Sequence, residues 1–508
     1  MNLDPRTPVV VGVGQFTESI DDDGYRGMSA VELATAAARA ALIDTGGDAA
    51  AVAAAIDTFV GLRQFEICTP FAKPMLGCSD NYPRSVGLRI GADPARVVLE
   101  SLGGHGPQKV LTEFAGAIAA GTADVVMILG SENGSTLRHF AKRDDKPDHG
   151  EQVGGQLEDR GYGFEQYISE YTVAHGLTGA PVQYGLLENA RRARLGLGVD
   201  EYRRSMAELF APFSEVAANN PFSSSPVARS VDEIVTVTDD NRMICDPYPR
   251  LLVARDQVNQ GAAVLLMSVA AARDLGVPQD KWVYLHGHAG MVEQDFLDRA
   301  DLGASPATAF AAQEALRVAG IGVQDVSTFD LYSCFPFPVF TFCEAVGLAG
   351  DDPRGLTLTG GLPYFGGPGN SYSLHGIAET VDRMRSAPGE FGLVGANGGI
   401  MSKYSVGVYS TSPASWRADR SEQLRAEISA LPAVRVTRDV NAAGIIETYS
   451  VRYDLPVRTG IIVGRLDDES RFLALSTDED LVEFMSTGDP LGRKISVKSV
   501  DGTNRATL

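Results

Sequence analysis

The stretch RVVLESLGGHGPQKVLTEFAGAIAAG, residues 96–121, decides the fold. Its apolar opening is typical of a buried strand, a glycine-rich turn follows, and the remainder has the composition of a helix. Pro107 stands where that helix should begin, because proline lacks an N–H that the first helical turn would leave unpaired anyway. Residues 124–129 form a second apolar run. This alternation of strand and helix predicts a parallel α/β sheet.

A second stretch repeats the same plan about 230 residues further along the chain. Residues 327–348, STFDLYSCFPFPVFTFCEAVGL, contain a strand, a turn, a proline at position 336 and a helix. One interpretation is an ancient duplication that produced two similar halves. The other is coincidence, because strand, turn, proline and helix follow one another in many α/β proteins. These two segments alone do not separate the interpretations.

Two regions depart from the alternation. Residues 131–238 carry polar, charged helical patterns and loops, which predict an inserted loop domain. From residue 413 onward the chain has a loosely helical polar segment and then short alternating runs, beginning with residues 434–436, which predict a small β-rich domain. We therefore expect two halves, residues 1–270 and 271–412, followed by an added domain over residues 413–508.

Composition excludes several classes of function. The 508 residues contain 44 Lys+Arg and 65 Asp+Glu, a net charge of −21, which disfavours nucleic acid and anionic membrane surfaces as partners. The longest apolar run, residues 261–272, is too short to span a bilayer. The five cysteines are scattered and form no CxxC pair, so we expect a reducing, cytoplasmic location without disulfides or a zinc cage.

Four turns, three of them punctuated by glycine, lie at predicted strand ends or open a helix, where backbone N–H groups point towards ligands. They are residues 103–106, 332–335, 366–370 and 395–399. Together they form a candidate active site.

Cys334 lies at a predicted junction between strand and helix. The unpaired N–H groups and the helix dipole at such a junction lower the pKa of a thiol, which predicts a reactive cysteine. The alternative is a small buried apolar residue, because Phe335, Phe337 and Val339 surround it in sequence. Both interpretations stay open at this point.

His375 should fall in the first turn of a helix, where the dipole keeps imidazole neutral and able to accept a proton. Asn370 and Tyr372 in the same glycine-rich turn favour a functional role for this histidine over a structural one. His105, between two glycines, suits either the rim of a site or a structural contact. We predict no metal site, because His286 and His288 lack a convincing third ligand.

At these turns the chain resembles the thiolase superfamily. The likeness extends to about residue 412 and rests on five blocks: VVVGVGQFTE, ARVVLESLGGHGPQKV, AIAAGTADVVMILGSE, LYSCF and GGLPYFGGPGN. The resemblance implies two similar βαβαβ halves in five layers, αβαβα, with a loop domain inserted in the first half. The segment after residue 412 is similar to the added domain of thiolase-like proteins, which are often labelled acetyl-CoA acetyltransferases.

The matched positions depart from the thiolase pattern. Gly103 stands where thiolases have their nucleophilic cysteine, and Gly367 stands where they have a catalytic histidine. Cys334 matches the acid/base cysteine of the sterol-carrier-linked thiolases. The last Cys-x-Gly block of the superfamily is replaced by Ala396-Asn397-Gly398-Gly399.

The resemblance implies an acyl-CoA acyltransferase of the acetyl-CoA acetyltransferase type, with the CoA thioester as substrate and no tightly bound cofactor. Cys334 would act as acid/base or substitute nucleophile, and His375 as general base. The other candidate residues are Tyr372, the Asn397 side chain and the backbone N–H groups of Gly103, Gly104 and Gly399 as oxyanion donors. We expect a monomer or a homodimer.

Two other functions stay open. Four tyrosines lie in or near the motif turns, namely Tyr332, Tyr364, Tyr372 and Tyr404. Because a tyrosine can donate or accept a proton, one alternative is a non-covalent CoA-thioester carbon–carbon lyase of retro-aldol type. The other alternative is a non-catalytic acyl-CoA-binding protein, because two standard catalytic positions hold glycine.

Overall fold

The computed structural model describes residues 3–163 and 169–508. Its strands are β1 Pro8–Thr17, β2 Thr58–Leu62, β3 Arg96–Glu100, β4 Val125–Asn133, β5 Glu158–Asp159, β6 Met243–Cys245, β7 Tyr248–Pro249, β8 Asn259–Ser268, β9 Val283–Val292, β10 Val326–Leu331, β11 Phe391–Gly398, β12 Lys403–Ser410, β13 Asn441–Arg452, β14 Thr459–Arg465, β15 Arg471–Ser476, β16 Lys494–Val500 and β17 Thr503–Thr507. Both strand–turn–helix segments that define the fold are present as predicted.

The α-helices are α1 Ala30–Asp44, α2 Ala49–Ala55, α3 Tyr82–Ile90, α4 Gly106–Ala120, α5 Gly134–Phe140, α6 Glu170–Ala174, α7 Ala180–Leu195, α8 Val199–Asn219, α9 Val231–Val235, α10 Val269–Asp274, α11 Pro306–Ala319, α12 Pro336–Val346, α13 Tyr372–Ser386, α14 Ser421–Ser429 and α15 Glu479–Thr487. Pro107 and Pro336 both lie in the first turn of their helices, α4 and α12. No helix in the described ranges is long and apolar enough to span a membrane.

The large sheet contains ten strands in the order β10-β11-β12-β9-β1-β8-β4-β2-β3-β5. Its two halves meet where β1 pairs with β9, through Val9 opposite Tyr284 and Val10 opposite Val283. Parallel pairs occur in both halves, β2 with β3 and β4 in the first, and β10 with β11 in the second. The predicted α/β class is confirmed.

The helices form layers around this sheet. Apolar side chains of α4 and α13 share one buried cluster with strands of both halves, so these two helices form the central layer. Helix α1 covers the other face of the first half, and α11 and α12 cover the other face of the second half. The five-layer αβαβα arrangement is therefore confirmed.

The C-terminal residues form a separate seven-stranded sheet in the order β14-β15-β17-β16-β13-β6-β7. Its short strands β6 and β7 come from the earlier part of the chain, which the sequence pattern did not predict. The run at residues 434–436 is not a full strand, because it forms only a single bridge from Val436 to Arg471. The polar segment after residue 413 becomes helical only at α14.

Deleting the chain from residue 412 onward should leave a folded but aggregation-prone core. Ile461, Val463 and Leu473 belong to the same apolar cluster as the second half of the large sheet, and the deletion exposes the surface that they cover. Size-exclusion chromatography with light scattering and thermal unfolding will check this. A monodisperse core with an unchanged Tm would show that the C-terminal sheet is an independent tethered module.

Candidate active site

Residues from all four predicted turns line one cavity of about 1110 Å³. It lies between these strand-end turns and the inserted segment. Among the residues that line it are Phe65, Leu102, Gly103, Gly104, Tyr184, Arg229, Arg242, Arg250, Arg255, Asp256, Tyr332, Cys334, Leu362, Tyr364, Gly367, Asn370, Asn397, Gly398 and Gly399. A cavity of this size accommodates a ligand larger than most drug-like molecules.

Cys334, Asn397 and Tyr184 form the buried end of the cavity. Asn397 Nδ2 donates a hydrogen bond to Tyr184 Oη at 2.6 Å and lies 3.8 Å from Cys334 Sγ. Asn397 Oδ1 is buried and has no hydrogen-bond partner. The structure thus brings together two predicted site residues and adds Tyr184, whose place on a polar helical pattern gave no sign of a functional role.

Burial keeps the groups at this end neutral. It raises the pKa of the Cys334 thiol to about 12, opposite to the direction expected for a cysteine at a helix start, because desolvation outweighs the hydrogen bonds from Tyr184 and the backbone. Burial also raises the pKa values of Tyr184 and Tyr332 well above their ordinary value. At neutral pH the cluster therefore offers hydrogen-bond donors and no charge.

Tyr332 occupies space that Gly104 leaves free. A Cβ atom on Gly104 would lie 2.3 Å from Tyr332 Oη, well inside van der Waals contact. The Tyr332 ring also packs edge-on against Tyr372, with centroids 5.4 Å apart. Glycine at position 104 is thus required for the phenol to lie at the cavity wall.

Gly104→Ala should displace the Tyr332 hydroxyl and lower the free energy of unfolding by about 1–3 kcal/mol through overpacking. Gly198→Ala is the matched control, because a Cβ there meets nothing within 4 Å. Chemical denaturation will measure both changes. Equal stability of the two variants would show that Tyr332 moves aside without cost.

His375 and Tyr372, on α13, do not line the cavity in the described structure. The His375 ring is fully buried, its Nδ1–H donates to Gln15 Oε1 at 2.7 Å, and burial lowers its pKa to about 3. The Tyr372 hydroxyl lies 2.6 Å from Thr359 Oγ1. The helix start is where the sequence predicts it, but these side chains face the core rather than the cavity.

Asn370 and His105 support the turn at residues 103–106. Asn370 Oδ1 accepts from the Gly103 N–H at 2.8 Å, while its Nδ2 donates to the Arg63 carbonyl at 2.6 Å. The His105 ring fills the space between Gly103 and Gly398, since a Cβ on either glycine would lie within 2.5 Å of its Nδ1. Both residues fix the glycine turns that border the cavity.

The solvent-facing end of the cavity carries arginines that sequence reasoning missed. Arg242 and Arg250 are exposed, and the pKa of Arg255 is lowered by burial and then by Arg250. Arg229 pairs with Glu233 at 3.3 Å, whereas the other three form no salt bridge with a carboxylate in the described ranges. Acidic residues also line this end, namely Asp232, Glu233, Asp240 and Asp256. Arg250 and Arg255 each donate one hydrogen bond to a backbone carbonyl, that of Asp240 and that of Gln257, which leaves further N–H groups for an anionic ligand.

Within the described part of the chain, no group of three or more His, Cys, Asp or Glu side chains could hold a metal ion.

A five-layer fold whose strand-end turns border one cavity defines the thiolase class. Residues 423–503 match the family described as the thiolase-like protein type 1 additional C-terminal domain. The crystal structure of a monomeric SCP2-thiolase like protein type 1 from Mycobacterium smegmatis is 60% identical, covers 100% of both chains and superposes with a TM-score of 0.87. The chain therefore belongs to the SCP2-thiolase-like proteins of type 1.

Two further relatives are more distant. An acetyl-CoA acetyltransferase from Methanothermobacter thermautotrophicus is 27% identical over 247 residues, which is 46% of this chain and 61% of that protein. The chain thus matches less than two thirds of that relative's length. The Ltp2-ChsH2(DUF35) aldolase structure is 18% identical, covers 80% of this chain and 98% of that one, and has a TM-score of 0.55, which shows a shared fold.

Proposed function

We propose that the cavity binds a coenzyme A thioester, with its phosphates at the arginines and its acyl group at the buried end. The proposal is supported by the difference between the two ends of the cavity. The positively charged side chains of Arg242, Arg250 and Arg255 lie near solvent, and neutral hydrogen-bond donors lie at the buried end. Guanidinium groups suit phosphate recognition because they donate several hydrogen bonds in a fixed plane. These three arginines form no salt bridge with a carboxylate in the described ranges, which leaves their charges available to a phosphate.

We propose that the reaction is carbon–carbon cleavage of a β-hydroxyacyl-CoA by a retro-aldol route, without an acyl-enzyme. The observation that carries this choice is Gly103 in the nucleophile position beside a cluster of neutral hydrogen-bond donors. Such donors stabilise the oxygen of a thioester enolate as charge develops on it. We place this chemistry in a monomer acting in the cytoplasm.

One residue suffices for the proton movements. The phenolate form of Tyr332 takes the proton from the β-hydroxyl, the Cα–Cβ bond breaks, and a ketone or aldehyde leaves. The enolate that remains is held by Asn397 and Tyr184 and then receives the proton back from Tyr332 at Cα. The products are a shorter acyl-CoA and a carbonyl compound, and no proton or electron is lost.

Acyl transfer is a second candidate, with Cys334 as substitute nucleophile. Cys334 lines the cavity, and the matched archaeal relative is called an acetyl-CoA acetyltransferase. This route needs a thiolate, and burial raises the Cys334 pKa to about 12. The retro-aldol route needs a Tyr332 phenolate that is also scarce at pH 7, so the choice between the routes rests on Gly103 in the nucleophile position and not on these pKa values. Among the described residues, no histidine lines the cavity to accept the proton.

Single-turnover assays with a panel of β-hydroxyacyl-CoAs test the proposal, with thermal shifts recorded on CoA and acyl-CoAs. We expect ligand stabilisation together with formation of a shorter acyl-CoA. Stabilisation without turnover on every substrate would support a non-catalytic acyl-CoA-binding protein instead. The absence of both would contradict the assignment of the cavity to CoA thioesters.

A further inference from the structure

We propose that the C-terminal sheet is a positioning element of the active site, because its strand β13 sets the place of the Tyr184 hydroxyl through helix α7. In the described structure, Ile244 of the short strand β6 lines the cavity, but no residue after position 400 does, so the strands β13 to β17 act on the site only through other elements. The effect of this positioning on catalysis rests on the proposed function. The structural claim does not, and it is tested below without turnover.

Helix α7 joins the two regions. Near its start, Ala180, Pro181 and Tyr184 line the cavity. One turn further on, Thr448 Oγ1 of β13 donates to the Leu186 carbonyl at 2.6 Å, and Asn189 Nδ2 donates to the Tyr449 carbonyl at 2.9 Å. A shift of β13 is therefore transmitted to Tyr184 along a continuous helix.

Gly185, directly after Tyr184, lies so close to Asp246 and Ser450 that no side chain fits there. A Cβ there would lie 2.4 Å from the Asp246 carbonyl oxygen and 2.9 Å from Ser450 Oγ of β13. Ser450 Oγ itself donates to that carbonyl at 2.8 Å. Glycine in a helix interior costs about 0.5–1 kcal/mol relative to alanine. The close contact with β13 explains why glycine is needed here despite that cost.

The strands β6 and β7 complete the support. Tyr248 of β7 donates from its hydroxyl to Glu188 Oε2 at 2.6 Å, which ties the C-terminal sheet to the middle of α7. The Phe335 ring stacks on Tyr184 with centroids 4.4 Å apart and lies 5.0 Å from the Tyr248 ring. The residue next to Cys334 is thus packed between the cavity tyrosine and the C-terminal sheet.

This arrangement has a chemical consequence at Cys334. The hydrogen bond from Tyr184 lowers the Cys334 pKa against the larger effect of burial. Moving Tyr184 away from the thiol should therefore raise that pKa further and reduce the thiolate fraction at any given pH. Alkylation of Cys334 reports this change directly, because only the thiolate reacts.

The experiment measures the rate of Cys334 alkylation by iodoacetamide at pH 9, with the modified peptide resolved by mass spectrometry. Tyr184→Phe removes the hydroxyl, Gly185→Ala pushes α7 away from β13, and Ser450→Ala removes a β13 contact. We expect the first two to slow alkylation about tenfold, the loss for one hydrogen bond to a charged group, and Ser450→Ala to slow it less. Thermal unfolding verifies that each variant is folded.

Ser476→Ala is the matched control. Ser476 is also a buried serine of the C-terminal sheet, but its hydroxyl donates to the Ala506 carbonyl within that sheet. Its variant should react at the wild-type rate. The positioning role would be overturned if Tyr184→Phe were alkylated slowly while Gly185→Ala and Ser450→Ala were both alkylated at the wild-type rate or faster. That result would leave the proposed function intact. Wild-type alkylation in Tyr184→Phe would overturn the inference at its base.

Discussion

Tyr332→Phe is expected to lower the single-turnover rate of β-hydroxyacyl-CoA cleavage by about 10²–10⁴-fold, the usual contribution of a positioned acid/base group. The substitution removes one oxygen atom from the cavity wall and keeps the ring that packs against Tyr372. The Kd for the substrate should therefore change little. Tyr409→Phe is the matched control, because its buried hydroxyl donates to Gln108 Oε1 at 2.6 Å away from the cavity.

The pH dependence follows from the same residue. Burial raises the Tyr332 pKa well above its ordinary value, so the phenolate is scarce at neutral pH and its fraction rises about tenfold per pH unit. The wild-type cleavage rate should rise at that slope from pH 7 to pH 9. A plateau in this range, or a Tyr332→Phe rate within a few fold of wild type, would exclude Tyr332 as the group that moves the proton.

The double variant Arg250→Gln, Arg255→Gln is expected to weaken CoA binding about 10²–10⁴-fold, because it removes two charged groups and each charge-assisted hydrogen bond to phosphate contributes about 1.5–3 kcal/mol. A pantetheine thioester, which lacks the nucleotide phosphates, should bind the variant and the wild type equally. Isothermal titration calorimetry at two salt concentrations will measure both ligands. The CoA affinity of the wild type should fall with salt more steeply than that of the variant.

Arg435→Gln, Arg458→Gln is the matched control for charge. These exposed arginines pair with Asp468, in the loop after β14, and with Glu483 on α15, away from the cavity, and their loss changes the net charge equally. CoA should bind this variant as it binds the wild type. An equal loss of affinity for CoA and for the pantetheine thioester in the cavity variant would contradict a phosphate site at Arg250 and Arg255.

The layered core and the meeting of the turns were predictable because they depend on local signals. Residues 96–121 contain a buried strand, a glycine turn and a proline at a helix start, and each is encoded within a few residues. The carboxyl ends of parallel strands meet at one edge of a sheet, so turns that follow such strands converge without further information. Cys334, Asn397 and the glycines at 103 and 104 were found in this way.

The rest of the site depends on tertiary contacts that leave no local pattern. Tyr184 and Arg229 come from the inserted segment, whose helices have the pattern of ordinary polar helices, and Arg242, Arg250 and Arg255 follow that segment. The contact of α7 with β13, which supports the position of Tyr184, joins residues 262 positions apart. The strands β6 and β7 are three and two residues long, too short for a periodic signal. For His375, the sequence places the helix start, but the face that it presents is set by Gln15 on a distant strand.

Retention of label tests the central claim, cleavage without an acyl-enzyme, most directly. Wild type and Cys334→Ala are each mixed with β-hydroxyacyl-CoA that carries a radiolabel in its acyl group, quenched in acid within one turnover, and assayed for product and for label bound to protein. We predict no label on either protein and cleavage by Cys334→Ala within about tenfold of wild type, because Cys334 forms no bond to the substrate. Label bound at Cys334 in the wild type, with neither label nor product in Cys334→Ala, would contradict the account.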